Sequence, residues 1–234
     1  MNKKYNKYLK QINNDKISKR YKGKEHYFHA SSAGLCIRKH YFGSIEKIKP
    51  TPPEGVSLTR LRLGDLVHED IQSSLNGDRY LIEDEIILED LNVRGHYDIL
   101  DRKKKKLIDI KTVGGYKWKM IFGRNAKDSV ENYKLQLGTY GLGIQKKYDI
   151  KLKEMCLLFY KLGDPKATEM RELNVPLFYI KKAKEYWKDV NEKTKSLPEL
   201  SIGSAPSEGW ECNPSWCGYF EHCGGGLKPE LLRS

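Results

Sequence analysis

No stretch of this 234-residue chain is apolar for long enough to cross a bilayer. The opening residues, MNKKYNKYLKQINNDK, are basic but carry no apolar core, so they do not read as a secretory signal. They favour Lys and Asn over the Arg and Ser of a transit peptide. The chain also lacks the Gly-rich phosphate loop of a helicase and any internal repeat. These absences predict a cytoplasmic protein with no membrane partner. Its length predicts one main core with short extensions.

Cysteine is scarce and odd in number: Cys36 and Cys156, then Cys212, Cys217 and Cys223. A reducing compartment does not ordinarily keep structural disulfides, so a late cluster of this kind points to metal. Cys156 lies inside an apolar run and reads as a buried core residue. Acidic residues are outnumbered: 43 Lys and Arg face 31 Asp and Glu, a net charge of +12. That excess favours a polyanionic partner, because Lys and Arg displace counterions condensed on phosphates. The Lys103–Lys106 run, between two strand-like segments, reads instead as a solvated turn.

Residues 1–25 are polar and Lys-rich, a helix or basic arm. Ser31-Ser32 starts a short helical pattern, and Thr51-Pro52-Pro53 breaks the chain before a longer helix over about 54–76. Three strand-like segments follow, Tyr80–Leu88, Val93–Leu100 and Leu107–Thr112. A helix is expected over about 127–147, with Leu135, Leu137, Tyr140 and Ile144 on its apolar positions. Met155–Tyr160 reads as a buried central strand, Leu173–Leu177 as an edge strand and 178–195 as helix. This order predicts an α/β sandwich around a mixed sheet.

The chemistry concentrates in Gly95-His96-Tyr97-Asp98 and Leu107-Ile108-Asp109-Ile110-Lys111-Thr112. Alternation along a strand puts Asp109 and Lys111 on one side, and a hairpin brings Asp98 opposite them. Two carboxylates converging on one ammonium call for a compensating cation. Mg²⁺ or Mn²⁺ suits carboxylate oxygens, and either would lower the pKa of a bound water and neutralise charge on a phosphate. Asp-x-Lys on a strand is also a common exposed ion pair. Here the pair is set among Leu107, Ile108 and Ile110, which favours the functional reading.

Gly95-x-x-Asp98 followed by Asp109-x-Lys111-Thr112 resembles the core of the PD-(D/E)XK nuclease superfamily. Two further features are similar to its RecB-like exonuclease branch: His68 in Gly64-Asp65-Leu66-Val67-His68, and the pair Gln136-x-x-x-Tyr140. The i, i+4 spacing of that pair puts both side chains on one helix face. The resemblance implies a restriction-endonuclease-like α/β core, a mixed sheet flanked by helices. It implies His68, Asp98, Asp109 and the main-chain carbonyl of Ile110 as metal ligands, Lys111 as a catalytic residue, and Gln136 and Tyr140 as residues orienting lysine or substrate. Asp98 and Asp109 serve catalysis through the metal.

One early and three late cysteines match the members of this branch that carry a [4Fe–4S] cluster, which implies Cys36, Cys212, Cys217 and Cys223 as its ligands. In such proteins the cluster clasps the Cys-rich C-terminal segment to the N-terminal region. Trp210, Trp216, Tyr219 and Phe220 would shield its sulfurs, in preference to stacking on bases. The late spacing here is four residues and then five, where the family's is two and then five, and four thiolates equally hold Zn²⁺. Asp109 replaces the motif's commoner Glu, and Tyr97 its Pro.

The organisation this implies is a basic arm over 1–30, a nuclease domain over 31–225 and a tail over 226–234. The implied activity is metal-dependent hydrolysis of DNA phosphodiester bonds, on single strands or ends. With no phosphate loop of its own, such a nuclease acts alone or beside a helicase, a recombinase or a CRISPR adaptation protein. The competing readings are a non-catalytic single-stranded-DNA-binding protein on the same scaffold and a zinc-stabilised interaction module.

Overall fold

The computed structural model describes residues 2–21, 26–127, 130–163, 170–195, 212, 214 and 216–223. In chain order the elements are α1 (Asn2–Tyr21), β1 (Phe28–His29), α2 (Ile37–His40), α3 (Val56–Ser73), β2 (Tyr80–Ile82), β3 (Glu85–Leu88), β4 (Val93–His96) and β5 (Ile99–Asp101). They continue with β6 (Lys106–Gly114), α4 (Gly115–Phe122), α5 (Glu131–Tyr148), β7 (Glu154–Leu162), β8 (Met170–Asn174) and α6 (Phe178–Lys195). No helix among the described residues is long and apolar enough to cross a membrane.

The chain divides into two compact units. One comprises Met1–His29, Leu35–Arg62 and Trp187–Ser234; the other comprises Ala30–Gly34 and Leu63–Tyr186. In the second unit five strands form a mixed sheet in the order β2-β5-β6-β7-β8, and β3 pairs antiparallel with β4 in another sheet. β6 runs parallel to β7 and antiparallel to β5, as an α/β order with an interposed helix requires. Leu107, Leu157 and Phe159 are fully buried on these central strands. From α5, Leu137 and Ile144 are fully buried too, together with Gly138, whose missing side chain lets Tyr179 of α6 approach.

The expected α/β architecture is present, with two departures. The segments Tyr80–Leu88 and Val93–Leu100 each split in two, so β2 and β5 belong to one sheet while β3 and β4 pair in the other. The breaks fall opposite each other: Glu83 N–H donates to the Asp98 carbonyl (3.1 Å) and Tyr97 N–H to the Asp84 carbonyl (3.2 Å). Glu83 reaches its place with a left-handed backbone, φ +52°, which costs a residue bearing a side chain about 1 kcal/mol. The other departure is α4, a helix directly after β6 where the sequence pattern predicts no element. Within α3, Leu58 is buried whereas Leu61 and Leu66 are exposed, so its apolar spacing marks a helix but not its buried face. The Lys103–Lys105 turn is solvated, as expected, and Lys106 pairs with Glu172 at 2.6 Å.

The first unit joins early and late segments around aromatic rings. Phe28 stacks on Trp187 (5.9 Å between ring centres), and His40 meets both edge-on (5.6 and 5.3 Å). Phe42 packs against Tyr219 and His222, and Thr51 N–H donates to the Gly218 carbonyl at 2.7 Å. The Cys-rich segment is thus clasped to the N-terminal region. The expected tail over 226–234 lies outside the described residues.

Candidate metal centre

Asp109 and Lys111 share one side of β6 and are both largely buried, Asp109 to 1% exposure. The Lys111 ammonium lies 2.7 Å from Asp109 Oδ2, off the hydrogen-bonding direction, so that oxygen has a charge partner but no hydrogen bond. Lys111 donates to Gln136 Oε1 (3.0 Å), and the Gln136 amide donates to Tyr140 OH (2.9 Å). The lysine also sits 4.9 Å above the Tyr133 ring. One face of α5 therefore fixes an otherwise flexible ammonium through a relay of two side chains.

Asp98 stands at the bend between β4 and β5. Its Oδ2 accepts the main-chain N–H of Ile110 at 2.6 Å, and its Oδ1 lies 3.5 Å from His68 Nδ1 on α3. Two glycines allow these approaches. A Cβ on Gly95 would come within 2.7 Å of both the Tyr140 ring and Ala30, and one on Gly64 would lie 3.3 Å from Thr112.

The site holds more negative than positive charge. Burial raises the Asp109 pKa to about 6, with Lys111 opposing and Asp98 adding to the rise. For Lys111 burial acts against the ammonium, but Asp109 and Asp98 together outweigh it and raise its pKa. The same holds at His68, where burial lowers the pKa and Asp98, with Asp109 behind it, more than restores it. A cation is what this surplus of carboxylate accommodates. The donor set, two carboxylates and an imidazole beside the main chain of Ile110, fits a divalent metal ion.

No protein-family model and no curated protein matches the chain. Solved structures do. The crystal structure of a protein designated SSO0001 is similar over 97% of this chain and 98% of its own, with a TM-score of 0.57 and 19% identity. An alkaline exonuclease from Laribacter hongkongensis is similar over 75% of this chain and 91% of its own, with a TM-score of 0.51 and 10% identity. At these identities the likeness is one of fold.

His68, Asp98, Asp109, Ile110, Lys111, Gln136 and Tyr140 all lie in the second unit, linked by the contacts above. Two residues that sequence reasoning missed join them. Gln72, one turn beyond His68 on α3, donates to Glu83 Oε1 (3.2 Å) and to the Asp98 carbonyl (3.4 Å). Glu83 itself brings a carboxylate oxygen to His68 and Asp98, the three donor atoms lying within 4.8 Å of one another. The His68-x-x-x-Gln72 spacing was a signal for the first; nothing in the sequence marks Glu83.

Cys36, Cys212, Cys217 and Cys223 all fall in the first unit, half-buried and outside any disulfide. Arg38 Nη1 donates to Cys223 Sγ at 3.3 Å. Among the described residues the metal-donor group is His68, Glu83 and Asp98, and the cysteine sulfurs do not draw together in that way. Trp216 is 55% exposed and Tyr219 packs on Phe42; Trp210 lies outside the described residues. Cys156 is fully buried, and burial pushes its thiol up to about 12, as suits a core residue.

Proposed function

We propose that this protein is a metal-dependent DNA nuclease of the RecB-like kind, acting as an exonuclease on single strands or DNA ends. The carrying observation is the lysine relay: Lys111 touches Asp109 at 2.7 Å and Gln136 at 3.0 Å, beside a carboxylate-rich centre. A binding scaffold has no use for a buried ammonium held between a carboxylate and an amide beside further acidic groups, since an unoffset charge cluster costs stability. The likeness in fold to an alkaline exonuclease supports the reading.

His68, Asp98, Asp109 and the Ile110 carbonyl would hold Mg²⁺ or Mn²⁺, which supplies an activated water and neutralises charge on the scissile phosphate. Lys111 then orients the attacking water and stabilises the anion that forms, and Gln136 with Tyr140 keeps the ammonium in line. Asp98, tied to the Ile110 N–H, sets the spacing between the two acidic strands. The net charge of +12 supports a DNA strand as substrate.

In the first unit we assign a [4Fe–4S] cluster to Cys36, Cys212, Cys217 and Cys223. Support comes from four cysteines outside any disulfide in one compact unit and from the cationic donor on Cys223 Sγ, the kind of partner an anionic sulfur ligand takes. The cluster holds the clasp between early and late segments. The three-part division into arm, nuclease domain and tail, a cytoplasmic location, and a helicase, recombinase or CRISPR adaptation partner belong to the same proposal.

The test is DNA cleavage by anaerobically prepared protein with Mg²⁺, Mn²⁺ or chelator. Degradation of labelled strands that needs the metal and Asp109 supports the reading. Binding of DNA without cleavage under every metal contradicts it.

A further inference from the structure

Metal-dependent cleavage gives α1 (Asn2–Tyr21) no task, and this helix is built against the ordinary rules of helix stability. Its first turn carries Lys3 and Lys4 and no acid, so cations sit at the positive end of the helix dipole. Lys3 and Lys7 are four residues apart, and Lys4, Lys7 and Lys10 follow at intervals of three. At these spacings like charges face each other and repel. No acid precedes Asp15 in the sequence to relieve them. Lys10 is bound to Glu54, but no ion pair joins Lys3, Lys4 or Lys7 to an acid among the described residues. Apolar burial offsets little of this, since Leu9 is the one buried side chain described on the helix.

The outer side of α1 adds a second observation. Tyr5 is 49% and Tyr8 55% exposed, and their rings stack with centres 6.4 Å apart and planes 28° apart. Lys4 lies one turn before Tyr8, and Lys7 one turn beyond Lys4, so rings and ammonium groups share one exposed side. Crowded ammonium groups call for a polyanion, and the rings narrow its kind. An anionic lipid surface would take up aliphatic side chains, whereas Leu9 is turned inward and Ile12 is half-buried. A DNA duplex hides the faces of its bases within the stack. An unpaired base offers its face to any aromatic ring.

We propose that the side of α1 formed by Lys4, Tyr5, Lys7 and Tyr8 binds single-stranded DNA, with phosphates on the lysines and bases stacked on the tyrosines. The choice of DNA rests on the reading of the protein as a DNA nuclease. The binding surface itself needs neither the metal nor Asp109.

The test is fluorescence anisotropy with the full chain in chelator. The probes are an oligothymidylate of about 20 nucleotides, longer than a typical single-strand site, and a duplex of the same length. Tyr5→Ala with Tyr8→Ala should weaken single-strand binding about 10-fold or more and leave duplex binding and salt dependence unchanged. Tyr5→Phe with Tyr8→Phe keeps both rings and should bind as wild type. Lys4→Gln with Lys7→Gln should weaken binding and lower the slope of log affinity against log salt by about 1.4, two phosphate contacts at about 0.7 each. This variant removes like-charge repulsion, so its thermal midpoint should not fall, which separates lost binding from lost fold. Lys103→Gln with Lys104→Gln, in the solvated turn, should keep the wild-type slope.

Wild-type affinity and slope in both the alanine and the glutamine variants overturns the proposal. So does an equal loss on duplex and single strand when the tyrosines are removed. So too do phosphatidylserine vesicles that hold the wild type but not the glutamine variant while oligothymidylate binding is unchanged, since the surface then belongs to a membrane. Wild type that binds the strand through α1 but cleaves DNA with no metal supports this proposal and removes the nuclease reading. Cleavage that needs Asp109, with α1 variants binding as wild type, does the reverse.

Discussion

The Ile110 N–H donates to Asp98 Oδ2 at 2.6 Å, joining a side chain at the bend before β5 to the main chain of β6. The bond fixes the carboxylate beside the residue that separates Asp109 from Lys111. It leaves the Ile110 carbonyl, which belongs to the next peptide unit, for a cation. Replacing Asp98 by Ala should therefore do two things: remove a metal ligand and leave a buried N–H without its acceptor. We expect loss of detectable cleavage and a fall in stability of about 1–3 kcal/mol, read by urea denaturation.

Lys111→Met should keep metal binding and lose cleavage by about 10²–10⁴-fold, because the ammonium acts on the water and the forming anion. Lys111→Arg should not rescue it, since a planar fork cannot occupy the place between Asp109 and Gln136. Gln136→Ala removes only the positioning contact and should cost less, about 10²-fold at most. Single-turnover rates, with Mn²⁺ affinity measured in parallel, check the order.

Gly95→Ala should destabilise the second unit by about 1–3 kcal/mol, since its Cβ would meet the Tyr140 ring and Ala30 at 2.7 Å. The displaced Tyr140 would loosen Gln136, so cleavage should fall with stability. A variant that is stable and fully active would show that the ring can give way.

Acid should weaken the first unit through His40. Burial first, then the charges of His29 and Lys39, lower its pKa from 6.5 to about 3. The unfolded chain therefore binds a proton that the folded chain excludes between those values. The contribution is fully present above pH 6.5 and is lost as pH falls towards 3. The slope reaches about 1.4 kcal/mol per pH unit from this one group. His40→Leu keeps the contact with Phe28 and Trp187 and should flatten that part of the stability curve.

Much of this was legible in the sequence because the signals were local. Asp109 and Lys111 alternate with apolar residues on one strand, and Gln136 and Tyr140 share a helix face; both periods survive folding. The splitting of strands at Glu83 and Asp98 was not, since Tyr80, Ile82, Ile86 and Leu88 keep an apolar pattern through the break. Only the backbone at Glu83 shows it. Glu83 as a donor was hidden for the same reason, as its partners His68 and Asp98 lie far away in sequence. The buried face of α3 was not legible either, because Leu61 and Leu66 are apolar yet exposed.

The iron–sulfur assignment predicts brown protein under anaerobic preparation, with about four irons per chain. Ser at Cys36, Cys212, Cys217 or Cys223 should bleach it, while Cys156→Ser should not, because that thiol is sealed in the core. One zinc per chain in place of iron would give the site to the alternative metal.

The central claim meets its most direct test in wild type and Asp109→Ala incubated with end-labelled single- and double-stranded DNA, with Mg²⁺, Mn²⁺ or chelator. The account predicts metal-dependent degradation by the wild type, none with chelator, and none by the variant despite an intact fold. Well-folded, iron-loaded wild type that cleaves no DNA with either metal, or Asp109→Ala that cleaves as well as wild type, would contradict it.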